Sequence, residues 1–431
     1  MKKTDSSSAD QLPLPLDLFS SKPVNVAFQN TSIVEYSPIN PYNSLPVRFS
    51  INSGSTYLDL SQCYLQTTFQ LYKETTVKVD GKDVSKIVNV TADDKVSPIN
   101  AFGATALKNV KVLFNGRQVY NSNDLYAYNA YIRRRLGIES SRNVDDLELA
   151  GFTVDDAESQ VQGNGFEERR KNFIENNKFH SIAHLDVDFF KQKKFLLNEI
   201  TVDIELTPHD IDFILISQDK SAYSFGIIEY KLYVKQHHIL PQLDAQIQET
   251  LKKDNLAKYP YTRNLINTHF ISSGRYDYKS TLFTDYIPKR VFVALVDGKA
   301  FNGSLSTSPF EFKQFNIQNI QISANSKIIP TYPYDLTQKE FIRCFKDVVD
   351  STENTDLTYE EYRNHTCIYA FDFQSYHTKS ATELQQLGTT ALSIKFTKPV
   401  PINGIQVIVY SEFDSLIAFD FARNFTTALP I

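Results

Sequence analysis

The stretch IPKRVFVALVDGKAFNGSLSTSPFEFKQFNIQNIQISANSKIIP, Ile287 to Pro330, contains the strand signals that decide the fold class. Its apolar run VFVALVDG, Val291 to Gly298, is typical of a buried strand that ends in a turn. Further along, Ile320 and Ile322 alternate with polar neighbours, and NIQISANSKIIP has the pattern of two strands joined by a tight turn. This stretch therefore predicts β structure.

The same order of elements occurs in the first half of the chain. NVKVLFNGRQVY places Asn115-Gly116 between two apolar runs, and both residues tolerate the positive φ angles of a hairpin turn. A helix follows, whose apolar face and C-terminal cap are Leu125, Tyr128, Ile132, Leu136 and Gly137. In the second half, the hairpin precedes a helix with a predicted capping box at Thr337 and Glu340. Two β units of one layout suit sandwiches or jelly rolls.

Alternating apolar residues extend the strand pattern upstream and between the two units. Leu65 to Leu71 follow one phase, whereas Leu58 and Leu60 follow the other, so a bend or bulge is expected near Ser61 to Tyr64. QLDAQIQETLKKD has apolar residues every four positions from Leu243 to Leu251, which predicts an amphipathic helix. The expected organisation is a flexible arm at 1–24, a first domain at 25–238, a linker helix at 239–262 and a second domain at 263–431.

Composition narrows the functional classes. The 431 residues carry a net charge of -5, which argues against a surface built to coat nucleic acid, and 31 Phe and 24 Tyr favour strands. Cys63, Cys344 and Cys367 are far apart and odd in number, so a reducing compartment is favoured over a disulfide framework or zinc site. The N-terminus lacks the apolar stretch of a signal peptide, and no segment predicts a membrane span.

One candidate metal site lies in HSIAHLDVDFF, where His184, Asp186 and Asp188 occupy alternate positions. On a strand these side chains would share a face, and His-x-Asp is the motif of jelly-roll Fe(II)-dependent dioxygenases. His269 and Arg275 are the candidates for a distal ligand and an oxoacid-binding arginine. The polar face of an ordinary strand is the favoured interpretation, because no spacing defines the second histidine. No catalytic, cofactor-binding or metal residue is therefore predicted.

Two basic runs have a structural and a functional interpretation. Arg133 to Arg135 fit either contact with DNA or the last turn of a helix, where cations offset the macrodipole, and the helix is favoured. Arg169 to Lys171 follow two glutamates and are expected on a solvated loop or helix face.

The quoted stretch resembles the signature segment of capsid proteins from Polinton (Maverick) elements and related adintovirus-like viruses. In that family a P-K-R strand precedes V-D, A-F-N-G and N-P-F-x-F-K, and Ser308 stands here where the family often has Asn. The matching residues are Pro288, Lys289, Arg290, Val296, Asp297, Ala300, Phe301, Asn302, Gly303, Pro309, Phe310, Phe312 and Lys313. FFKQKKFLLNEITVDIELTP also resembles a family segment, with Lys191 and Glu199 as departures. The likeness covers most of Ser32 to Asn424.

This resemblance implies an all-β fold of two tandem eight-stranded jelly rolls, a double jelly roll, with a few short helices. It implies a structural virion protein and not an enzyme: a major capsid protein whose homotrimers form pseudo-hexagonal capsomers of an icosahedral shell around double-stranded DNA. The expected partners are further copies of the chain, neighbouring capsomers and a penton-type minor capsid protein, with no cofactor. Non-specific contact with packaged DNA stays open. The alternatives are a jelly-roll dioxygenase using His184 and Asp186, and a lectin-like binding module.

We predict that the purified protein contains no functional metal, because His184 and Asp186 lack a third ligand at a defined spacing. Elemental analysis of the native protein, with His184→Ala as the control, measures this. Stoichiometric iron that disappears in the control variant would support the dioxygenase alternative instead.

Overall fold

The computed structural model describes residues 25–42, 44–79, 82–137, 144–156, 159–174, 178–219, 221–253, 255–325, 327–337, 341–352, 355, 357–374 and 385–428. The expected arm at 1–24 lies outside them, and so does Glu340 of the predicted capping box.

Strands are the commonest regular element of the described structure. They are β1 (Phe28–Tyr36), β2 (Val47–Asn52), β3 (Tyr57–Val79), β4 (Lys82–Asn89), β5 (Val96–Pro98), β6 (Leu107–Phe114), β7 (Arg117–Asn121), β8 (Lys178–His184), β9 (Thr201–Pro208), β10 (Leu215–Ser217), β11 (Ala222–Ile239), β12 (Ala257–Ile271), β13 (Asp277–Phe283), β14 (Arg290–Asp297), β15 (Ile317–Ala324), β16 (Lys327–Ile329), β17 (Ile368–Asp372), β18 (Thr390–Phe396), β19 (Ile405–Phe419) and β20 (Phe425–Thr427).

The helices are short and lie in the connections between strands. They are α1 (Phe102–Thr105), α2 (Tyr126–Leu136), α3 (Val144–Leu149), α4 (Asn164–Ile174), α5 (Ile211–Ile214), α6 (Pro241–Lys252), α7 (Gly298–Phe301), α8 (Ile342–Ser351) and α9 (Tyr359–Asn364), with a 3-10 helix at Asp188–Lys191. Within the described residues, none of these helices has the length and apolar character to cross a membrane.

Two barrels with one strand order form the molecule. The first pairs β1-β11-β3-β8 in one sheet and β2-β9-β6-β7 in the other, and the second pairs β12-β19-β14-β17 and β13-β18-β15-β16. When only these eight strands of each barrel are counted in chain order, the first, eighth, third and sixth form one sheet and the second, seventh, fourth and fifth form the other. Neighbouring strands in these sheets are antiparallel. This is the jelly-roll arrangement, so the predicted all-β fold of two eight-stranded jelly rolls is confirmed.

Local patterns account for several of these elements. The pairing register of β3 against β11 shifts between Tyr64 and Asp59, which confirms the predicted bulge. Asn115 and Gly116 adopt φ angles of 48° and 75° in the β6–β7 turn, as the hairpin prediction requires. Gly137 ends α2 in the left-handed conformation, and its N–H donates to the carbonyls of the last turn.

One predicted helix start is wrong. Helix α8 begins at Ile342 after Phe341, which makes no side-chain cap, whereas Thr337 lies upstream and donates its hydroxyl to Asp335. A capping box does occur in the next helix, where Thr358 and Glu361 bond each other's backbone N–H. The capping box was predicted at Thr337, one helix too early in the chain, and the box at Thr358 was not predicted.

The connection between β14 and α7 brings two backbones together at Gly298. A Cβ atom added there would lie 2.4 Å from the carbonyl oxygen of Asn403, which belongs to the turn before β19. Because backbone atoms cannot move aside as a side chain does, we predict that Gly298→Ala lowers the free energy of unfolding by about 1–3 kcal/mol. Denaturant titration measures the change.

Gly226→Ala is the matched control for this substitution. Gly226 lies in β11, and an added Cβ would make only an ordinary contact of 3.5 Å with the Tyr72 ring. It should leave the stability within about 1 kcal/mol of wild type. Equal losses in the two variants would contradict the close approach at Gly298.

Candidate functional site

Helix α2 carries the predicted arginine run into the boundary between the two barrels. Each guanidinium meets a carboxylate: Arg133 with Asp188 at 2.9 Å, Arg134 with Asp186 at 2.8 Å and Arg135 with Glu361 at 3.0 Å. The side chains of Arg133 and Asp188 are only 1% and 4% exposed. The run does occupy the last turn of α2, as predicted, but its burial excludes the alternative in which these side chains contact DNA.

The expectation that Asp186 and Asp188 share a strand face with His184 is wrong. Strand β8 ends at His184, and Asp188 begins the 3-10 helix. The chain turns towards α2, where Arg134 donates both to the carbonyl oxygen of His184 and to the Asp186 carboxylate, at 3.0 Å each. Both carboxylates thereby become partners of buried arginines.

Asp188 connects the two barrels. Its Oδ1 accepts a hydrogen bond from Arg133 and another from the Asn264 side chain, each at 2.9 Å. Its Oδ2 accepts the backbone N–H of Asn264, also at 2.9 Å. Since Asn264 lies in β12, one carboxylate joins α2 of the first barrel to an edge strand of the second.

The histidines of the metal hypothesis are not brought together. His184 lies on β8 of the first barrel, where Nδ1 is 3.0 Å from the carbonyl oxygen of Cys63, whereas His269 lies on β12 of the second. Arg275 follows β12, and its carbonyl accepts the N–H of Val400 at 2.9 Å. Among the residues that the structure describes, no three His, Cys, Asp or Glu side chains are arranged to hold a metal ion.

Aromatic stacking closes the boundary beside the ion pairs. The Phe310 ring lies 4.2 Å from that of Tyr131 with an interplanar angle of 9°, and Phe301 stacks on Tyr128 at 5.5 Å and 14°. Phe312 meets Tyr131 edge-on at 5.9 Å. Both tyrosines belong to α2, so the segment singled out by the sequence resemblance packs onto the first barrel.

The remaining signature residues hold the second barrel's own framework. Lys289 pairs with Asp414 at 2.8 Å and Arg290 with Glu412 at 2.6 Å. Asp297 caps α7 and accepts from Asn403, Asn302 ends α7, and Lys313 pairs with Glu311 at 2.9 Å. The last five residues are placed by packing or conformation: Pro288, Val296, Ala300 and Pro309 are buried, and Gly303 has a φ of 95°.

Two polar links across the boundary carried no recognisable sequence signal. Arg423, near the C-terminus, donates to the backbone and side-chain oxygens of Asn198 at 2.9 and 2.8 Å and to Gln248 of α6 at 3.0 Å. Gln160 accepts the Ser308 hydroxyl at 2.7 Å and lies 3.2 Å from Nδ1 of His365, whose pKa is lowered by burial.

Arg169 is a further correction. The sequence placed it on a solvated surface, but it is buried and pairs with Asp155 at 2.6 Å. Its guanidinium also donates to the carbonyl oxygens of Pro98 and Gln160, at 3.2 and 3.1 Å. These bonds connect α4 to β5 and to Gln160, whose side chain contacts the second barrel. Arg170, in contrast, pairs with Glu167 near the surface at 2.6 Å, as a helix-face interpretation predicts.

The boundary as a whole is suited to rigid docking. Its charged groups neutralise one another, its aromatic rings fill the space between the barrels, and its polar links occur at several separate points. Buried polar networks whose members are satisfied in this way make a structure rigid.

No protein-family model matches the chain. An uncharacterised protein of Caenorhabditis elegans is 24% identical over 395 residues, which span 86% of this chain and 90% of that protein.

Solved viral structures share the fold. A chain of the Sputnik virophage structure, determined by cryo-electron microscopy, superimposes with a TM-score of 0.60 at 11% identity, covering 98% of this chain and 93% of that one. The mavirus major capsid protein gives 0.57 at 12% identity, covering 100% and 97%. The Faustovirus major capsid protein gives 0.53 at 9% identity, covering 93% and 92%. These similarities extend over both barrels and show that the chain has the double jelly-roll fold.

We predict that Asp188→Ala destabilises the protein by about 3–5 kcal/mol, because it removes the carboxylate that neutralises the buried Arg133 charge. Glu249→Ala is the control, since Glu249 and Lys253 form an ion pair of 2.7 Å whose side chains are 66% and 68% exposed. It should change stability by less than about 1 kcal/mol. Urea unfolding compares the two variants.

The double variant Arg133→Met with Asp188→Leu tests the cause of the loss. Removing both charges should recover most of the stability, because no buried ion then remains unpaired. A double variant as unstable as Asp188→Ala would show that the hydrogen bonds to Asn264, and not the unpaired charge, account for the effect.

Proposed function

We propose that the chain is a major capsid protein, a structural component of an icosahedral virion without catalytic activity. The observation that carries the proposal is the pair of jelly rolls with one strand order, docked side by side through the buried Arg135–Glu361 ion pair and the hydrogen bonds from Asn264 to Asp188. A shell subunit needs rigid blocks that repeat a single shape. The two barrels supply the repeated shape, and the contacts at their boundary make the pair rigid. The fold shared with the mavirus and Faustovirus major capsid proteins supports the same function.

The proposed assembly is a homotrimer. Three chains with two barrels each place six similar blocks in a ring, and such a ring approximates a hexagon that tiles a closed surface. A ring requires a heterologous interface, in which one surface of a copy meets a different surface of the next.

The finer assignment follows the sequence resemblance. We propose a Polinton-like or adintovirus-like capsid around double-stranded DNA, with domain limits at 25–238 and 263–431, and a penton-type minor capsid protein as a partner. The signature residues from Pro288 to Lys313 are proposed to serve in folding and in docking the barrels, because Phe301 and Phe310 stack on α2. Any DNA contact must use basic side chains other than Arg133 to Arg135, which are occupied by carboxylates.

The dioxygenase alternative is disfavoured by the same contacts. The carboxylate of Asp186 accepts from Arg134 at 3.0 Å and lies 3.2 Å from the Lys191 ammonium. An iron ligand would have to give up both cationic partners within a buried site.

The trimer is testable by mass. We expect light scattering on the purified chain at micromolar concentration to give three times the chain mass of 49.3 kDa. Electron microscopy of the same sample should show pseudo-hexagonal particles, alone or in shells. A dominant monomer near neutral pH and moderate salt would contradict the capsid proposal and favour a lectin-like module.

A further inference from the structure

A cavity lies at the end of the second barrel where β14 leads into α7. It has a volume of about 220 Å³, and its polar lining consists of Asp297, Lys299, Thr307, Glu311, Lys313 and Asn403. These residues belong to the junction of β14 with α7, to the connection that follows α7, and to the turn before β19. The cavity is smaller than the roughly 300–1,000 Å³ of a site for a drug-sized ligand, so its size suits a single small ring.

Contacts within the protein hold the polar groups of the lining in place. The Asp297 carboxylate accepts the backbone N–H of Lys299 at 2.9 Å and an amide N–H of Asn403 at 3.1 Å. Glu311 pairs with Lys313 at 2.9 Å. A ligand therefore meets acceptors and donors whose positions are already set, which lowers the entropy cost of binding.

The charges of the lining cancel. Asp297 and Glu311 contribute two negative charges, and Lys299 and Lys313 contribute two positive ones. The lining therefore has no net charge with which to attract a phosphate or another anion. Carboxylates only accept hydrogen bonds and ammonium groups only donate them, whereas a hydroxyl group does both. A neutral ligand with several neighbouring hydroxyl groups is the chemical class that suits this mixed lining.

An exposed aromatic ring lies beside the cavity. Phe270, near the end of β12, is 55% exposed. A Cβ atom added at Gly404 would lie 2.4 Å from this ring, and one added at Gly298 would lie 3.5 Å from it. Both glycines are next in the chain to residues that line the cavity. A sugar has hydroxyl groups at its edge and C–H groups on its face, so polar groups beside an aromatic ring match both parts of it.

We propose that this cavity binds a neutral hexose at the end of a glycan chain, through hydrogen bonds to the lining and packing against Phe270. In a shell protein, a site of this class serves attachment to a glycosylated surface. The inference goes beyond the proposed shell function and does not depend on the trimer, because all the residues that form the site belong to one chain.

Saturation-transfer NMR on the purified full chain tests the site with free glucose, galactose and mannose at millimolar concentration. We expect at least one of these hexoses to bind the wild type. The cavity variant, Lys299→Ala with Glu311→Ala, should bind it about tenfold more weakly, because hydrogen bonds to two charged groups are lost. The control variant, Lys253→Ala with Glu249→Ala, removes the same charges from the exposed ion pair of α6 and should bind as the wild type does.

Two aromatic variants test the contact with the ring. Phe270→Ala should weaken binding of the same hexose, whereas Tyr332→Ala, which removes another exposed ring, should leave it unchanged. Thermal midpoints equal to that of the wild type show that the variants are folded. If Phe270→Ala lowers the midpoint, Phe270→Leu takes its place, because leucine keeps the apolar bulk without the ring.

Wild-type protein that binds none of the three hexoses would overturn the inference. Hexose binding that is unchanged in the cavity variant, or in the Phe270 variant, would overturn it as well. Inorganic phosphate and glycine are the competing probes. If either one binds the wild type and not the cavity variant, while the hexoses do not bind, the cavity takes a charged ligand and the proposal is wrong.

Discussion

Burial of charge is the constraint on which the two-barrel arrangement depends. Arg133 and Asp188 are almost completely removed from water, and an ion at that depth costs several kcal/mol unless an opposite charge and hydrogen bonds surround it. Arg133 therefore requires Asp188, and Asp188 also accepts two hydrogen bonds from Asn264 of the other barrel. These bonds are directional and favour one relative position of the barrels, while stacking such as Tyr131 on Phe310 supplies buried apolar area.

The two barrels share one strand order, but their corresponding helices have different surroundings. Most side chains of α2 are buried at the boundary with the second barrel, whereas α8, the helix in the corresponding position of the second barrel, exposes Ile342 (67%) and Val349 (40%).

The elements that the sequence predicted correctly depend on neighbours in the chain. Asn115-Gly116 adopts the positive φ angles that suit its turn, Gly137 ends α2, and the apolar spacing from Leu243 to Leu251 lies within α6. The predictions that failed depend on distant groups. Arg169 was expected to be solvated, and His184 and Asp186 were expected to share a strand face, because the partners of these residues were not visible from the local pattern.

The sequence by itself determined the strand periods, the turns and the repeat of hairpin and helix, since those follow from backbone conformations and side-chain alternation over a few residues. It also placed the segment from Pro288 to Lys313 in a family signature without showing what that segment contacts. Only the tertiary structure decided that Arg133 meets Asp188 and Arg135 meets Glu361, which lie 55 and 226 residues further along the chain. The physical reason is that pairing of buried charges is set by the docking of whole sheets, and that docking brings together residues whose separation in sequence carries no periodic signal.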